Sequence, residues 1–290
     1  MPDPRSTPTT RQRELAERLR ELRMEKNLTV ESVSTSLLVS ASKISRLETA
    51  ARRASPRDVR DLCLLYGVSN EERDRLMALA AQAMETSWYQ DADIDAEFRT
   101  FVGLEQAATN IDTMQTNVVP GLLQTTAYAR CLVSGLRAPN QMPATRVEEV
   151  LSVRERRQEI LHGANPPALH AIVDEMAVRR PLGPPDVMHA QVAALRAACE
   201  LPHVAVQLIP LEAGSHPGLD GRFTVLRFTD RAVRDTVYVE GLLGELFLDK
   251  DTDVARYLQT FDFLAKHVAL DGDDSLALLE KIGADWAARR

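Results

Sequence analysis

The residues best suited to chemistry lie between Thr29 and Arg60, and the chemistry they suit is contact with a polyanion. Ala41, Ser42, Lys43, Ser45 and Arg46 share a short segment in which Ile44 and Leu47 supply an apolar stripe at helical spacing. With that stripe turned inward, small hydroxyls and two cations face outward, toward base edges and phosphates. The forked guanidinium of Arg46 fits the paired acceptors of a guanine, and the Lys43 ammonium neutralises a phosphate. Ser40 is placed to N-cap this helix, and Thr29 to N-cap the helix before it. A helix start presents free N–H groups, so the Ser40 end also favours a phosphate oxygen. Arg52, Arg53, Arg57 and Arg60 follow as a basic patch suited to backbone contacts.

Further candidates are scattered through the second half of the chain and point to a ligand or a partner. Gln124 ends the turn Val119-Pro120-Gly121-Leu122-Leu123, with Tyr128 one helical turn beyond. A ligand clamp and a structural turn are both open there, the turn being the usual employment of Pro and Gly. Glu175 stands beside Asp174 after a strand-like run, as half of a carboxylate pair or as a helix cap, with Arg179 four residues on. His216 lies in a Gly/Pro-rich loop, and Tyr238 and Glu240 alternate along a strand-like segment. Trp88-Tyr89 serves as a recognition surface or as packing between domains. Arg154, Arg156 and Arg157 read as the solvated face of a charged helix.

Signatures of catalysis do not occur. The chain has no G-x-S-x-G, P-loop, G-x-G-x-x-G or H-E-x-x-H sequence. Histidines at 162, 170, 189, 203, 216 and 267 form no i,i+4 pair for a metal. Cys63, Cys131 and Cys199 are odd in number and far apart, which argues against a disulfide framework and a zinc cluster. The expectation is a protein without catalytic residues, cofactor or metal.

The elements that position the candidates divide the chain in two. Residues 1–10, rich in Pro and Thr, read as a disordered tail. From 11 to 84 the pattern is of five helices: Leu15, Leu19 and Leu22 line the first, Val30, Val33 and Leu37 the second, Ile44 and Leu47 the third. Ser55-Pro56 opens the fourth, which Gly67 stops, and Asn70 caps the fifth. The second and third, joined by three or four residues, have helix-turn-helix spacing. After a linker at 85–96, residues 97–290 read as an α+β domain with a mixed or mostly antiparallel sheet. Helical periodicity covers about 96–115, 124–135, 143–162 and 184–199, and strands are expected at Leu169–Val173, Val204–Ile209, Phe223–Phe228, Thr236–Glu240 and Glu245–Leu248. Two helices close the chain, at about 251–268 and 274–288.

Charge follows the same division. The net −7 conceals 13 basic against 8 acidic residues in 1–60, and 22 against 34 in 61–290. A basic head on an acidic body suggests a polyanion partner for one end only. The N-terminus lacks the apolar core of a secretory signal and no apolar run is of bilayer-crossing length, so a cytoplasmic, nucleoid-associated protein is expected.

Residues 13–67 resemble the five-helix domain of phage-repressor-like (XRE-type) regulators, with Ser40-Ala41-Ser42-Lys43-Ile44-Ser45-Arg46-Leu47-Glu48 matching the recognition helix. Three positions depart from that pattern: Leu38 and Ala50 stand where glycine is common, and Val30 where a phosphate-contacting Gln is usual. A non-Gly residue in a left-handed turn costs roughly 1–2 kcal/mol, so these turns are strained or rebuilt. Residues from about 97 to 280 resemble the C-terminal domain of unknown function in actinobacterial regulators of this type. The matching stretches are 119–125, Asp174-Glu175 with Arg179-Arg180-Pro181, 216–221 and 238–241. The expectation is a DNA-binding regulator on a pseudo-palindromic double-stranded operator, dimeric because such motifs reach useful affinity in pairs, its second domain answering a small molecule or a small partner protein. An antitoxin-like protein that sequesters a small partner, and a scaffold recruited for catalysis, are the alternatives.

Overall fold

The computed structural model describes residues 10–84, 88–89, 92, 94–135, 144–229, 233–241 and 244–290. The chain forms two compact units, residues 1–104 with 230–234, and residues 105–229 with 235–290.

The first unit is built from α1 (Thr10–Glu25), α2 (Val30–Ser36), α3 (Ala41–Glu48), α4 (Pro56–Tyr66) and α5 (Asn70–Met84). Their apolar stripes meet in one core of Leu15, Leu19, Leu22, Val33, Ile44, Leu47, Val59, Leu62, Tyr66 and Leu76. Burying each large side chain contributes about 1.5–3 kcal/mol, and this is what holds the two shortest helices helical. Three expected caps are in place: Thr29 accepts from Ser32 N at 3.1 Å, Ser40 from Lys43 N at 3.2 Å and Ser55 from Asp58 N at 3.2 Å. The fifth is corrected: the Ser69 hydroxyl, one residue earlier than Asn70, accepts from Glu72 N at 3.1 Å. Gly67 ends α4 at φ +61°, where a side chain would be strained.

Residues 1–9 lie outside the described residues, and the helix already includes Thr10. Of the expected linker, Trp88, Tyr89, Ala92, Ile94, Asp95 and Ala96 are described. They are tied to α6 (Ala96–Glu105), whose Arg99 donates to the carbonyls of Tyr89, Ala92 and Ile94 at 3.2, 3.1 and 2.9 Å. The Tyr89 ring packs on Gly103 so closely that a Cβ there would meet its hydroxyl at 3.2 Å. The division between the compact units falls at 104–105, at the end of α6.

The second unit contains β1 (Asn110–Gln115), α7 (Thr126–Gly135), α8 (Ala144–Gln158), β2 (Ala168–Asp174), α9 (Glu175–Arg179), α10 (Pro185–Ala198), β3 (Val204–Ile209), β4 (Phe223–Arg227), β5 (Thr236–Gly241), β6 (Gly244–Leu248), α11 (Asp251–His267) and α12 (Gly272–Ala287). The strands form one mixed sheet in the order β3-β2-β1-β4-β5-β6. β1, β2 and β3 pair in parallel, and the remaining pairings are antiparallel. Parallel neighbours need long crossovers, supplied here by helices, while β4, β5 and β6 follow one another as a meander. Met114, Ile172, Phe223, Val225 and Val237 pack with Phe261 and Leu264 of α11 in a core on one face. No helix among the described residues is long and apolar enough to cross a membrane.

One element differs from expectation. The helix read over 96–115 stops at Glu105, and Asn110–Gln115 is the strand at which the parallel and antiparallel halves join. Its Asp112 and Thr113 are buried polar groups whose partners on the neighbouring strand lie far along the chain. Arg227 grips Asp112 at 2.8 Å, and the Thr224 hydroxyl meets that of Thr113 at 2.9 Å. Central strands normally read as apolar runs, so these polar positions hid it.

Candidate nucleic-acid interface and a second polar site

The helix-turn-helix is fixed by ion pairs that span it. Arg23 of α1 reaches the end of α3 in a bidentate contact, Nε to Glu48 Oε1 at 2.8 Å and Nη2 to Oε2 at 2.9 Å. Its Nη1 also donates to the Leu28 carbonyl before α2, at 2.7 Å. At the start of α3, Lys43 Nζ contacts Asp58 Oδ1 of α4 at 2.5 Å. Asp58 Oδ2 completes the capping box with Ser55. Burial pushes the Asp58 carboxyl up, but Lys43 and Ser55 together hold it below its ordinary value.

This arrangement sets which candidate groups α3 presents. Ser42, Ser45 and Arg46 are exposed, as are Thr29, Ser40 and Arg52, while Ala41, Lys43 and Arg53 are half-buried. Arg46 bends back to donate to the Ser42 carbonyl at 3.2 Å. Lys43, expected to face outward, instead brings its charge to Asp58, because α4 places this carboxylate 15 residues later beside it. In the basic patch Arg57 and Arg60 share Asp61, at 3.9 and 2.8 Å. The exposed cations around α3 that make no ion pair among the described residues are Arg46 and Arg52.

Both unusual turn positions are left-handed, Leu38 at φ 54° and Ala50 at φ 55°. The turns therefore keep the geometry that glycine would favour, and carry the strain. Leu38 is 92% exposed, so no burial compensates it.

In the second unit the candidates fall into separate clusters. Buried Gln124 donates to the Val119 carbonyl at 2.7 Å and accepts from Arg154 Nη1 at 2.6 Å. Tyr128, wholly buried beside it, accepts from Val119 N at 3.2 Å. Burial pushes its phenol up to about 12 against the opposing effects of Val119 N–H, Arg154 and Arg180. A second cluster surrounds the end of β2. Asp174 caps α9 through Met176 N at 2.8 Å, and its other oxygen is 3.8 Å from His216 Nε2. Glu175 is buried, bonded to Arg179 Nε at 2.5 Å and to Leu211 N at 2.9 Å, while Arg179 also reaches Asp285 at 3.2 Å. Glu175 thus ties α9 to the loop after β3. His216 is buried and its Nδ1 has no hydrogen-bond partner. At 3.8 Å the Asp174–His216 approach is too long for the hydrogen bond that orients a catalytic base.

Tyr238 is buried against Phe247, ring centroids 5.3 Å apart, and burial with Glu240 and Glu245 pushes its phenol up. Glu240 is exposed and pairs with Arg222 at 3.1 Å. Trp88, in the first unit, stands edge-on to Tyr89 at 5.7 Å. No group of His, Cys, Asp and Glu among the described residues is placed to hold a metal ion.

The α8 arginines correct the reading of that helix as a solvated face. Arg157 is 6% exposed, gripped by Glu105 at 2.7 and 2.8 Å, and Arg154 is half-buried against Gln124. Arg156 alone of the three is exposed. Glu105 is more than 50 residues from Arg157, so the sequence carries no local sign of the pair.

Neither the curated proteins nor the solved structures contain a match to the chain. Residues 14–76 match the family described as Helix-turn-helix domain, which spans α2 and α3 and the elements around them. Residues 98–281 match Domain of unknown function (DUF5753), over more than half of the chain. All six strands, Gln124, Tyr128, Asp174, Glu175 and His216 lie within that match, and the chain belongs to the DUF5753 family, with a helix-turn-helix domain ahead of the family domain.

Proposed function

We propose that this protein is a sequence-specific, DNA-binding transcription regulator of the phage-repressor-like kind, acting as a dimer on a pseudo-palindromic operator. Its second unit answers a small molecule or a small partner protein, and the protein works by binding and not by catalysis. The observation that carries the reading is the outward face of α3. Ser42, Ser45 and Arg46 are exposed on a helix whose two ends are fixed by Arg23–Glu48 and Lys43–Asp58. A helix so held can enter a major groove as a rigid body, with Arg46 released from the Ser42 carbonyl to fork onto a guanine.

The test is sequencing of DNA fragments co-purified with the intact protein at moderate salt, with Arg46→Ala alongside. A shared inverted repeat, lost in Arg46→Ala, is expected, with a drop of about 1–3 kcal/mol in discrimination between operator and random DNA. Unchanged operator and random-DNA affinities in Arg46→Ala would refute the assignment of α3. Salt-sensitive binding without any shared repeat would favour an antitoxin-like protein whose main task is holding a small partner.

A further inference from the structure

On α8 of the second unit, Arg154 is placed against the buried Gln124. Arg154 Nη1 donates to Gln124 Oε1, while its Nε is buried with no hydrogen-bond partner. Among the described residues Arg154 makes no ion pair. Arg157, one turn further along α8, is the contrast, since both oxygens of Glu105 hold its Nε and Nη2. Glu240 acts on Arg154 at longer range, but its carboxylate already holds Arg222.

The surroundings of Arg154 are built and not loose. Gln158 Nε2 donates to the carbonyls of Gly121 and Gln124, at 3.0 and 2.6 Å. Gln191 accepts from Thr125 N and donates to the Leu123 carbonyl, both at 2.7 Å. The turn that carries Gln124 is therefore pinned from α8 and from α10. Burial, with the neighbouring Arg157, pulls the Arg154 guanidinium down to about 10. A buried guanidinium N–H without an acceptor is costly in the free protein, and a planar oxyanion satisfies it with two parallel bonds.

We propose that Arg154 is the anchor of a binding site for a small oxyanion-bearing ligand, a carboxylate or a phosphate. The proposal deepens the effector half of the function proposed above and is independent of its DNA half. Lysine would not substitute fully, because an ammonium lacks the fork that matches two oxygens.

The test is thermal melting of the full chain, without DNA, in inorganic phosphate or in succinate, against chloride at equal ionic strength. Melting temperature is expected to rise with the logarithm of oxyanion concentration. Phosphate alone acting identifies a phosphate-bearing ligand, and succinate alone a carboxylate. Arg154→Gln is expected to abolish the rise while melting no lower than the wild type in chloride, because an unsatisfied buried cation is gone. Arg154→Lys is expected to keep a reduced rise, and Arg46→Ala a full one. The proposal is overturned if neither anion acts beyond chloride, or if Arg154→Gln responds as the wild type does. It is also overturned if Arg154→Gln melts well below the wild type in chloride, which would make Arg154 structural.

Discussion

At Leu38 the chain holds a bulky, 92% exposed side chain in a left-handed turn between α2 and α3. Nothing in the described contacts repays the strain, so Leu38→Gly is expected to stabilise the first unit by about 1 kcal/mol, a rise of several degrees in its melting temperature. Calorimetry checks this, and an unchanged or lowered transition would mean the turn is not strained. Ala50 has the same backbone but is buried, at 8% exposed. Ala50→Gly relieves the strain and loses methyl packing, so its gain is expected to be the smaller of the two. The order of the two substitutions is thus a sharper check than either alone.

Between elements, the position of α3 depends on charges that the sequence holds far apart. Asp58 serves α4 as part of its capping box and α3 as the partner of Lys43. Asp58→Ala removes both services and is expected to cost about 2 kcal/mol. The Asp58 carboxyl is held below its ordinary value in the folded chain, and Glu72 is held down likewise by Arg18. Each binds a proton more readily when unfolded, so the stability they contribute is complete above the ordinary carboxylate range and lost as pH falls below it. Melting temperature of the wild type is therefore expected to fall between about pH 5 and 3, and more shallowly for Asp58→Asn. Parallel curves for the two proteins would show that Asp58 is not the linked group. The elements themselves were largely legible, because α1 to α4 and β2 to β6 write their period or their β-branched content into adjacent residues. What was not legible depends on distance. Asp112 and Thr113 reveal β1 only through Arg227 and Thr224, and Arg154 and Arg157 turn inward only because Gln124 and Glu105 await them. The caps Thr29, Ser40 and Ser55 were readable from local chemistry, and the Lys43–Asp58 pair was not.

For the whole molecule, charge decides how many copies a duplex must take. Residues 61–290 carry 34 acidic against 22 basic side chains, so most of the protein is repelled by DNA. Attraction is left to the neighbourhood of α3, where Arg46 and Arg52 are exposed and make no ion pair among the described residues, and Lys43, Arg57 and Arg60 are partly neutralised by Asp58 and Asp61. A single copy contacting two or three phosphates has a salt slope of only about −2 to −3, too weak an electrostatic contribution for specific binding in the usual range of about 10⁻⁸ to 10⁻¹¹ M. Two copies on half-sites one helical turn apart, about 34–36 Å, double the contacts without any change in the fold. Sedimentation of the protein with the inverted repeat proposed above is therefore expected to show two chains per duplex. Arg52→Ala is then expected to reduce the slope of log K against log salt by about 1.8, because each copy loses one phosphate contact worth about 0.9. A single chain per duplex with a reduction near 0.9 would instead mean that one copy suffices, and the affinity would have to come from contacts that the second unit makes despite its charge.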